Sequence, residues 1–399
     1  MAKRDPVGFL RAEYGQLVES ELDWKLRVLQ GPSTPRCVVD GKDVLMLCSN
    51  NYLSLSNHPK LKKAAIEAVE KYGAGSGSVR PIAGNMDLHM ELEKRLAGFK
   101  ECEASLVYQT GFAANAGLIP QLADAGDLIV SDELNHGSII DGVRLSKADR
   151  AVYKHCDVDD LRKVLENAEG HSPGYRRILI ITDGVFSMDG DIAPMDGIAP
   201  AAREHGAMVY VDDAHGEGVL GEGGRGIVSH FKLRRNDVHI EMGTFSKAFG
   251  VVGGHVSGSR DLVNFAYNRS RTWLLSGSHP PAVAASCVAA IDVLETEPEH
   301  VRNLWENTSY FRKGIRSIGF DTGRSQTPII PVMMGDSGVA KKFSSRLFDM
   351  GIFALPIVFP MVSKDEARIR TIMNAALTNK DLDEALEAFG KIGKELRLV

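Results

Sequence analysis

Two short apolar runs in this chain stop at residues of the kind that do chemistry. Met208-Val209-Tyr210-Val211 ends in Asp212-Asp213-Ala214-His215, and a second run leads into Gly243-Thr244-Phe245-Ser246-Lys247. Short β-branched runs read as buried parallel strands, which deliver the residues at their carboxyl ends to one cleft. The first would present Asp212 and His215, and the second Lys247. A carboxylate, an imidazole and an amine on one sheet edge could together hold an aromatic aldehyde cofactor such as pyridoxal phosphate. The amine forms the imine, the carboxylate faces the ring nitrogen and the imidazole donates to the ring oxygen. An amine shielded from water has a lowered pKa, which suits it to imine formation and to general-base work. Taken singly, Lys247 also reads as a surface lysine at a strand end and Asp212 as a capping carboxylate. Their joint placement favours chemistry.

Other residues fit the same ligand. Thr244 and Ser246 place two hydroxyls, with exposed main-chain N–H groups, where a phosphate binds well. Gly111-Phe112 could add N–H donors at the start of a helix near Ala113, whose dipole favours an anion. Ser276-Gly277-Ser278 is a further phosphate candidate. His136 follows a neighbouring strand and could stack on a ring. Arg370 lies in a strand-like segment, Ala367-Arg368-Ile369-Arg370-Thr371; its guanidinium could fork onto a substrate carboxylate. Arg368, two residues away, would share that face, so the pattern leaves both open.

The elements that must position these residues alternate short strands with helices from Ala104 onward, which predicts a largely parallel sheet with crossover helices. Strands are expected at Ser105–Tyr108, Leu128–Ser131, Ala151–Tyr153, Arg177–Thr182, Met208–Asp212 and Val238–Met242. Right-handed crossovers put the turns after them on one sheet edge. Before this region, a helical arm is expected from Pro6 to about Gln30. Next come a hairpin turning at Asp40-Gly41, the loop Ser49-Asn50-Asn51-Tyr52-Leu53, and a helix from Pro59 to Lys71. The glycine-dense Gly73–Arg80 stretch follows a helix, where a dinucleotide fingerprint needs a strand; it reads as a mobile loop closing a cleft. After Pro280-Pro281 the pattern becomes α+β: a long helical region from Ala282 to about Ile318, a strand at Pro328–Met334, a helix near Val339–Met350, a strand or loop at Phe353–Phe359 and a last helix from Asp381 to about Leu396. The expected division is an arm and hairpin at 1–55, a large α/β domain at 56–280 and a smaller α+β domain at 281–399.

Composition excludes several classes. The 399 residues carry a net charge of −5, with 44% hydrophobic and 25% charged residues. There is no basic footprint for nucleic acid or membrane. The five cysteines show no CxxC pair or metal spacing, so reduced thiols are expected and no metal. No stretch has the length of a signal peptide or a membrane span, and a cytoplasmic location follows by default.

In motif and order the chain resembles the α-oxoamine synthases, fold type I pyridoxal-phosphate enzymes that condense an amino acid with an acyl-CoA and release carbon dioxide. The resemblance runs from residues 49–53 through Asn135-His136-Gly137-Ser138-Ile139-Ile140-Asp141-Gly142, Thr182-Asp183-Gly184-Val185-Phe186-Ser187-Met188-Asp189-Gly190 and Val211–His215 to Thr244–Lys247 and Ala367–Arg370. It implies that Lys247 forms the imine, Asp212 pairs with the ring nitrogen, His215 and Ser187 lie near the ring oxygen, and His136 stacks on the ring. Asn50 and Arg370 would take the substrate carboxylate. It further implies a homodimer with sites at the subunit interface, Ser276 and Ser278 coming from the partner chain. Two positions depart from the family: Gly277, where several members have threonine or asparagine, and Leu377, where many have histidine.

Residues 183–190 and 139–145 look most like the glycine C-acetyltransferase branch. Residues 243–247 resemble bacterial serine palmitoyltransferases, and residues 212–221 resemble 8-amino-7-oxononanoate synthases. The expectation is therefore a transferase joining glycine to acetyl-CoA, with pimeloyl thioester plus alanine, or palmitoyl-CoA plus serine, as alternatives. A catalytically silent partner subunit would be expected to have lost Lys247, which is present. A nicotinamide oxidoreductase would rest on the glycine-rich loop alone.

Overall fold

The computed structural model describes residues 5–20, 22–234 and 236–399. Helix α1 (Gly8–Glu19) buries none of its residues. The helix expected to reach Gln30 stops there, because the next apolar residues, Leu22, Trp24, Leu26 and Val28, alternate with a period of two that suits extended chain. Strand β1 (Leu29–Gln30) pairs with β2 (Arg36–Val39), which turns into β3 (Lys42–Met46). Asp40 and Gly41 take φ values of 51° and 76° in that turn, as an Asp-Gly hairpin requires. Helix α2 (Pro59–Tyr72), the glycine-rich loop, a π-helical turn at Arg80–Gly84 and α3 (Asp87–Phe99) lead into the central sheet.

That sheet is built from β4 (Ala104–Tyr108), α4 (Gly111–Leu122), β5 (Leu128–Asp132), α5 (Gly137–Leu145), β6 (Asp149–Tyr153), α6 (Val158–Glu169), β7 (Ile178–Asp183), α7 (Met195–Glu204) and β8 (Met208–Asp212). It is completed by α8 (Ile227–His230), β9 (Ile240–Thr244), β10 (Gly254–Gly258), α9 (Arg260–Arg269) and α10 (Arg271–Leu274). Its strand order is β4-β10-β9-β8-β7-β5-β6. Strands β5 to β9 pair in parallel, and β10 runs antiparallel to both its neighbours. Along each central strand the side chains alternate between two buried faces: Val130, Ile180 and Val209 enter one core cluster, while Ile129, Leu179 and Tyr210 enter the other. Burial on both faces is why these strands read as nearly continuous apolar runs.

Two features of the sheet differ from expectation. Strand β9 lies two residues later than predicted, so Thr244 is its last residue. Strand β10 was not predicted at all, since Gly254-His255-Val256-Ser257-Gly258 offers a single apolar residue. Its place is fixed by contacts distant in sequence. A Cβ on Gly254 would stand 2.4 Å from the Gly111 nitrogen, and Ser257 Oγ meets Ser105 Oγ at 2.8 Å.

The rest of the chain forms α11 (Pro281–Thr296), α12 (Glu299–Ile318), β11 (Ile329–Gly335), α13 (Ser337–Asp349), β12 (Ile352–Phe353), β13 (Leu355–Ile357), β14 (Ala367–Ile372) and α14 (Asn379–Glu395). The helical region expected over 282–318 consists of two helices, separated at Glu297-Pro298, as proline inside a helical pattern commonly dictates. Strands β11, β14 and β13 form an antiparallel sheet, while β12 pairs in parallel with β3. The early hairpin is thereby joined to the C-terminal part. Arg36, on β2, reinforces the join through ion pairs to Asp381 at 2.7 Å and Glu384 at 2.5 Å on α14. All five cysteines are free thiols. Among the described residues, no helix is long and apolar enough to cross a membrane.

Candidate active site

The carboxyl ends of β5, β7, β8 and β9 fall on one edge of the sheet and end in Asp132, Asp183, Asp212 and Thr244. Asp212 is buried and its carboxylate is held from two sides. Asn115 Nδ2 donates to Oδ2 at 2.8 Å and the Ala214 N–H to Oδ1 at 3.1 Å. Asn115 sits fully buried in α4, accepts from the Tyr210 hydroxyl at 2.7 Å and reaches Ser138 Oγ at 2.9 Å. Ser138 in turn meets His136 Nδ1 at 2.7 Å, and the His136 main-chain N–H donates to Asp183 at 2.7 Å. One hydrogen-bonded path therefore runs from His136 to Asp212.

Lys247 follows β9 in a half-buried position. Burial lowers its pKa from 10.5 to about 8, against the opposing pull of Asp212 and Asp183. Asp183 lies in register with Asp212 on the neighbouring strand, and burial together with that negative neighbour pushes its pKa well above the usual carboxylate range. His136 is lowered by burial and by Lys247, despite Asp212. His215 is lowered well below its usual value by burial and by the positive charges of Lys247 and Arg370, so the ring is neutral. Its Nδ1 lies 2.7 Å from the Tyr52 hydroxyl. Burial raises the pKa of that phenol, which keeps its proton. With Tyr52 donating to Nδ1, the imidazole proton stands on Nε2.

The second half of the cleft is arginine-lined. Arg370 Nε donates to the Ser187 carbonyl at 2.6 Å and Nη2 to Asn50 Oδ1 at 3.4 Å. Its neighbour Arg368 is 2% exposed and spends its charge on Asp189, at 2.5 Å, and on Glu366. Of the two arginines, Arg368 is thus already paired with carboxylates, whereas Arg370 faces Ser187 and Asn50. Asn51, beside Asn50, shapes the bend, donating to the Ser33 carbonyl at 2.9 Å and Ser56 Oγ at 2.8 Å.

These residues fit pyridoxal phosphate. Thr110 caps α4 through the Ala113 N–H at 3.0 Å, and the first-turn amides at Gly111 and Phe112 have no acceptor within their own helix. Thr244 packs beside Gly111: a Cβ there would stand 3.6 Å from Thr244 Oγ1, which meets Ser246 Oγ at 2.8 Å. That is an anion cradle next to an amine and a carboxylate. Ser276 and Ser278 flank Gly277, whose carbonyl accepts from Gln109 Nε2 at 2.6 Å just before Gly111. Ser278 Oγ meets Ser76 Oγ of the glycine-rich loop at 2.6 Å, and its N–H donates to the Ser78 carbonyl at 3.1 Å. Leu377 is buried in the core, and its carbonyl accepts from Asn307 at 2.9 Å, so an apolar residue suits that departure.

Sequence reasoning missed Tyr52, Asn115 and Asp183. Asn115 left one signal, a lone carboxamide inside the apolar run Ala113-Ala114-Asn115-Ala116-Gly117-Leu118. Asp183 left another, a carboxylate ending a strand as Asp212 does.

The class I and II aminotransferase profile matches residues 42–389. The chain belongs to that family and has its fold type I architecture. It is 54% identical over 391 residues to an 8-amino-7-oxononanoate synthase of Symbiobacterium thermophilum, covering 98% of this chain and 99% of the relative. Over 399 residues, the whole of both chains, it is 51% identical to a protein of the same name from Thermoanaerobacter pseudethanolicus. Among solved structures, the PLP-bound serine palmitoyltransferase of S. paucimobilis superposes with a TM-score of 0.92 at 31% identity, over 99% of this chain and 100% of that one. Within the family, then, this chain is an α-oxoamine synthase, a pyridoxal-phosphate-dependent acyltransferase. The glycine C-acetyltransferase likeness of residues 139–145 and 183–190 is not matched by these relatives.

Proposed function

We propose that the chain condenses alanine with a pimeloyl thioester to give 8-amino-7-oxononanoate, carbon dioxide and the free thiol. The observation that carries this reading is identity of 50–54% along essentially the full chain to relatives bearing that product's name. It displaces glycine with acetyl-CoA as the first choice.

Bound pyridoxal phosphate supplies an aldehyde that captures the amino acid and an electron-poor ring that stabilises charge at the α-carbon. Lys247 would hold the cofactor through Nζ and would accept the α-proton on that atom, a role its pKa near 8 allows at neutral pH. Asp212, fixed by Asn115 and the Ala214 amide, keeps a proton on the ring nitrogen. His136 would stack on the cofactor ring, and His215 and Ser187 would hold its oxygen. Gly111, Phe112, Thr244 and Ser246 would take the phosphate, with Ser276 and Ser278 contributed by a partner protomer. Arg370 and Asn50 grip the amino acid's carboxylate, which orients the α-proton towards Lys247.

The test is a matrix of alanine, glycine and serine against pimeloyl, acetyl and palmitoyl thioesters. The highest kcat/KM is expected for alanine with the pimeloyl thioester. Preferred turnover of glycine with acetyl-CoA would return the reading to the other branch, and Lys247→Ala should abolish every activity.

A further inference from the structure

Outside the lining of the cleft, the ring of His155 lies between two carboxylates. Nδ1 is 3.0 Å from Asp132 Oδ1, and Nε2 is 2.7 Å from Asp191 Oδ2. The three side chains are 5%, 1% and 8% exposed, so water cannot take over either bond. Ionised carboxylates only accept, and only an imidazolium has two N–H groups to give. Burial opposes that charge, but the bonds to Asp132 and Asp191 outweigh it and push the pKa up to about 12. The other groups around the ring leave this assignment standing. The Cys156 thiol is 4.0 Å from Asp191, Glu133 accepts the His155 main-chain N–H, and Tyr153 and Asp183 stand behind Asp132. Asp132, His155 and Cys156 are ligand types for a metal ion. With both ring nitrogens directed at carboxylates, however, protons fill the positions a metal would need.

Asp132 and Asp191 each also hold a turn of the cleft, Asp132 through its carboxylate and Asp191 through its main-chain carbonyl. Asp132 accepts the Leu134 N–H on Oδ1 and the Cys156 N–H on Oδ2, both at 2.9 Å, and so shapes the turn that delivers Asn135 and His136. The Asp191 carbonyl accepts the Phe186 N–H at 3.1 Å and closes the turn that carries Ser187, whose own carbonyl holds Arg370. Phe186 places its ring 4.3 Å from that of His155, edge to face.

We propose that His155 is a positioning residue. As a charged imidazolium it locks the His136 turn to the Ser187 turn, and so fixes the ring-stacking histidine and the carboxylate-binding arginine relative to each other. This rests on the roles given above to His136 and Arg370.

The experiment uses the holoenzyme. With histidine labelled at the ring nitrogens, both His155 nitrogens are expected to remain protonated at pH 9 in the nuclear magnetic resonance spectrum; a neutral His155 ring at pH 8 overturns the proposal. His155→Gln is expected to raise the KM for the amino acid by roughly ten- to a hundred-fold and to change the visible circular dichroism of the bound cofactor, at unchanged far-ultraviolet dichroism. Asp191→Asn should reproduce both changes, and the double variant should add little to either. Variants that lose thermal stability while keeping KM and the visible dichroism would make the cluster merely structural and overturn the proposal. If His155→Gln does not fold, Asp191→Asn and the wild-type ring spectrum decide. Should no thioester support turnover, the substrate reading falls, whereas the ring spectrum and the dichroism still judge His155.

Discussion

A lysine amine becomes useful at neutral pH only when its surroundings hold its charge in check, and Lys247 shows how closely that is set. Burial draws its pKa down while Asp212 and Asp183 pull it back up, and the balance settles near 8. Below that value the amine is protonated and cannot attack an aldehyde; above it the neutral fraction saturates. Uptake of pyridoxal phosphate by the cofactor-free protein, followed by absorbance, is therefore expected to quicken as pH rises to about 8 and then level off. An ordinary surface lysine would keep accelerating beyond pH 10. At this scale much of the site was legible in the sequence, because Lys247, Asp212, His215 and His136 each close a strand or begin the turn after it. Tyr52 was not. Its bond to His215 spans 163 positions, and no local pattern marks a tyrosine for a distant imidazole.

Among the elements, α4 and α5 do the most to place the site, since Asn115 rides on one and Ser138 on the other. They approach closely because Gly142 in α5 has no side chain. A Cβ there would stand 2.8 Å from the Asn115 carbonyl and 3.0 Å from Ile119. The obstacle is helix backbone, which yields less than a side chain would. Gly142→Ala is therefore expected to lower stability by about 1–3 kcal/mol, read by chemical denaturation, despite the better helix propensity of alanine. Because α4 must shift to relieve the clash, it should also weaken cofactor retention through Asn115 and Asp212. Unchanged retention would show that the two helices separate without moving the carboxylate's support. Parallel strands and their crossover helices were readable because burial on both faces leaves continuous apolar runs. Strand β10 was unreadable because its glycines and serine answer to neighbours far off in the chain. The helical spacing over 282–318 was readable, and Pro298 marks where that region divides into two helices.

For the molecule as a whole, the question is whether one chain makes a complete site. Ser278 is bonded to the glycine-rich loop through Ser76 and Ser78, and the Gly277 carbonyl accepts from Gln109 at 2.6 Å. A Cβ built on Gly277 meets nothing within 4 Å. The loop and the serine segment thus form one unit with open space beside it, as expected if that unit completes the cleft of a second copy. In such a homodimer Lys247→Ala removes the amine of its own site, while Ser278→Asp sets a carboxylate against the phosphate in the partner's site. Each variant alone is then inactive. Dissociated, mixed and reassociated at random, about half of the dimers carry one copy of each variant, and every such dimer keeps one intact site of two. About a quarter of wild-type activity should return on mixing if sites are shared in this way, and none if each chain uses its own Ser278. Sedimentation of the mixture, run alongside, verifies that mixed dimers have formed, so an inactive mixture would place Lys247 and Ser278 in the same site of the same chain.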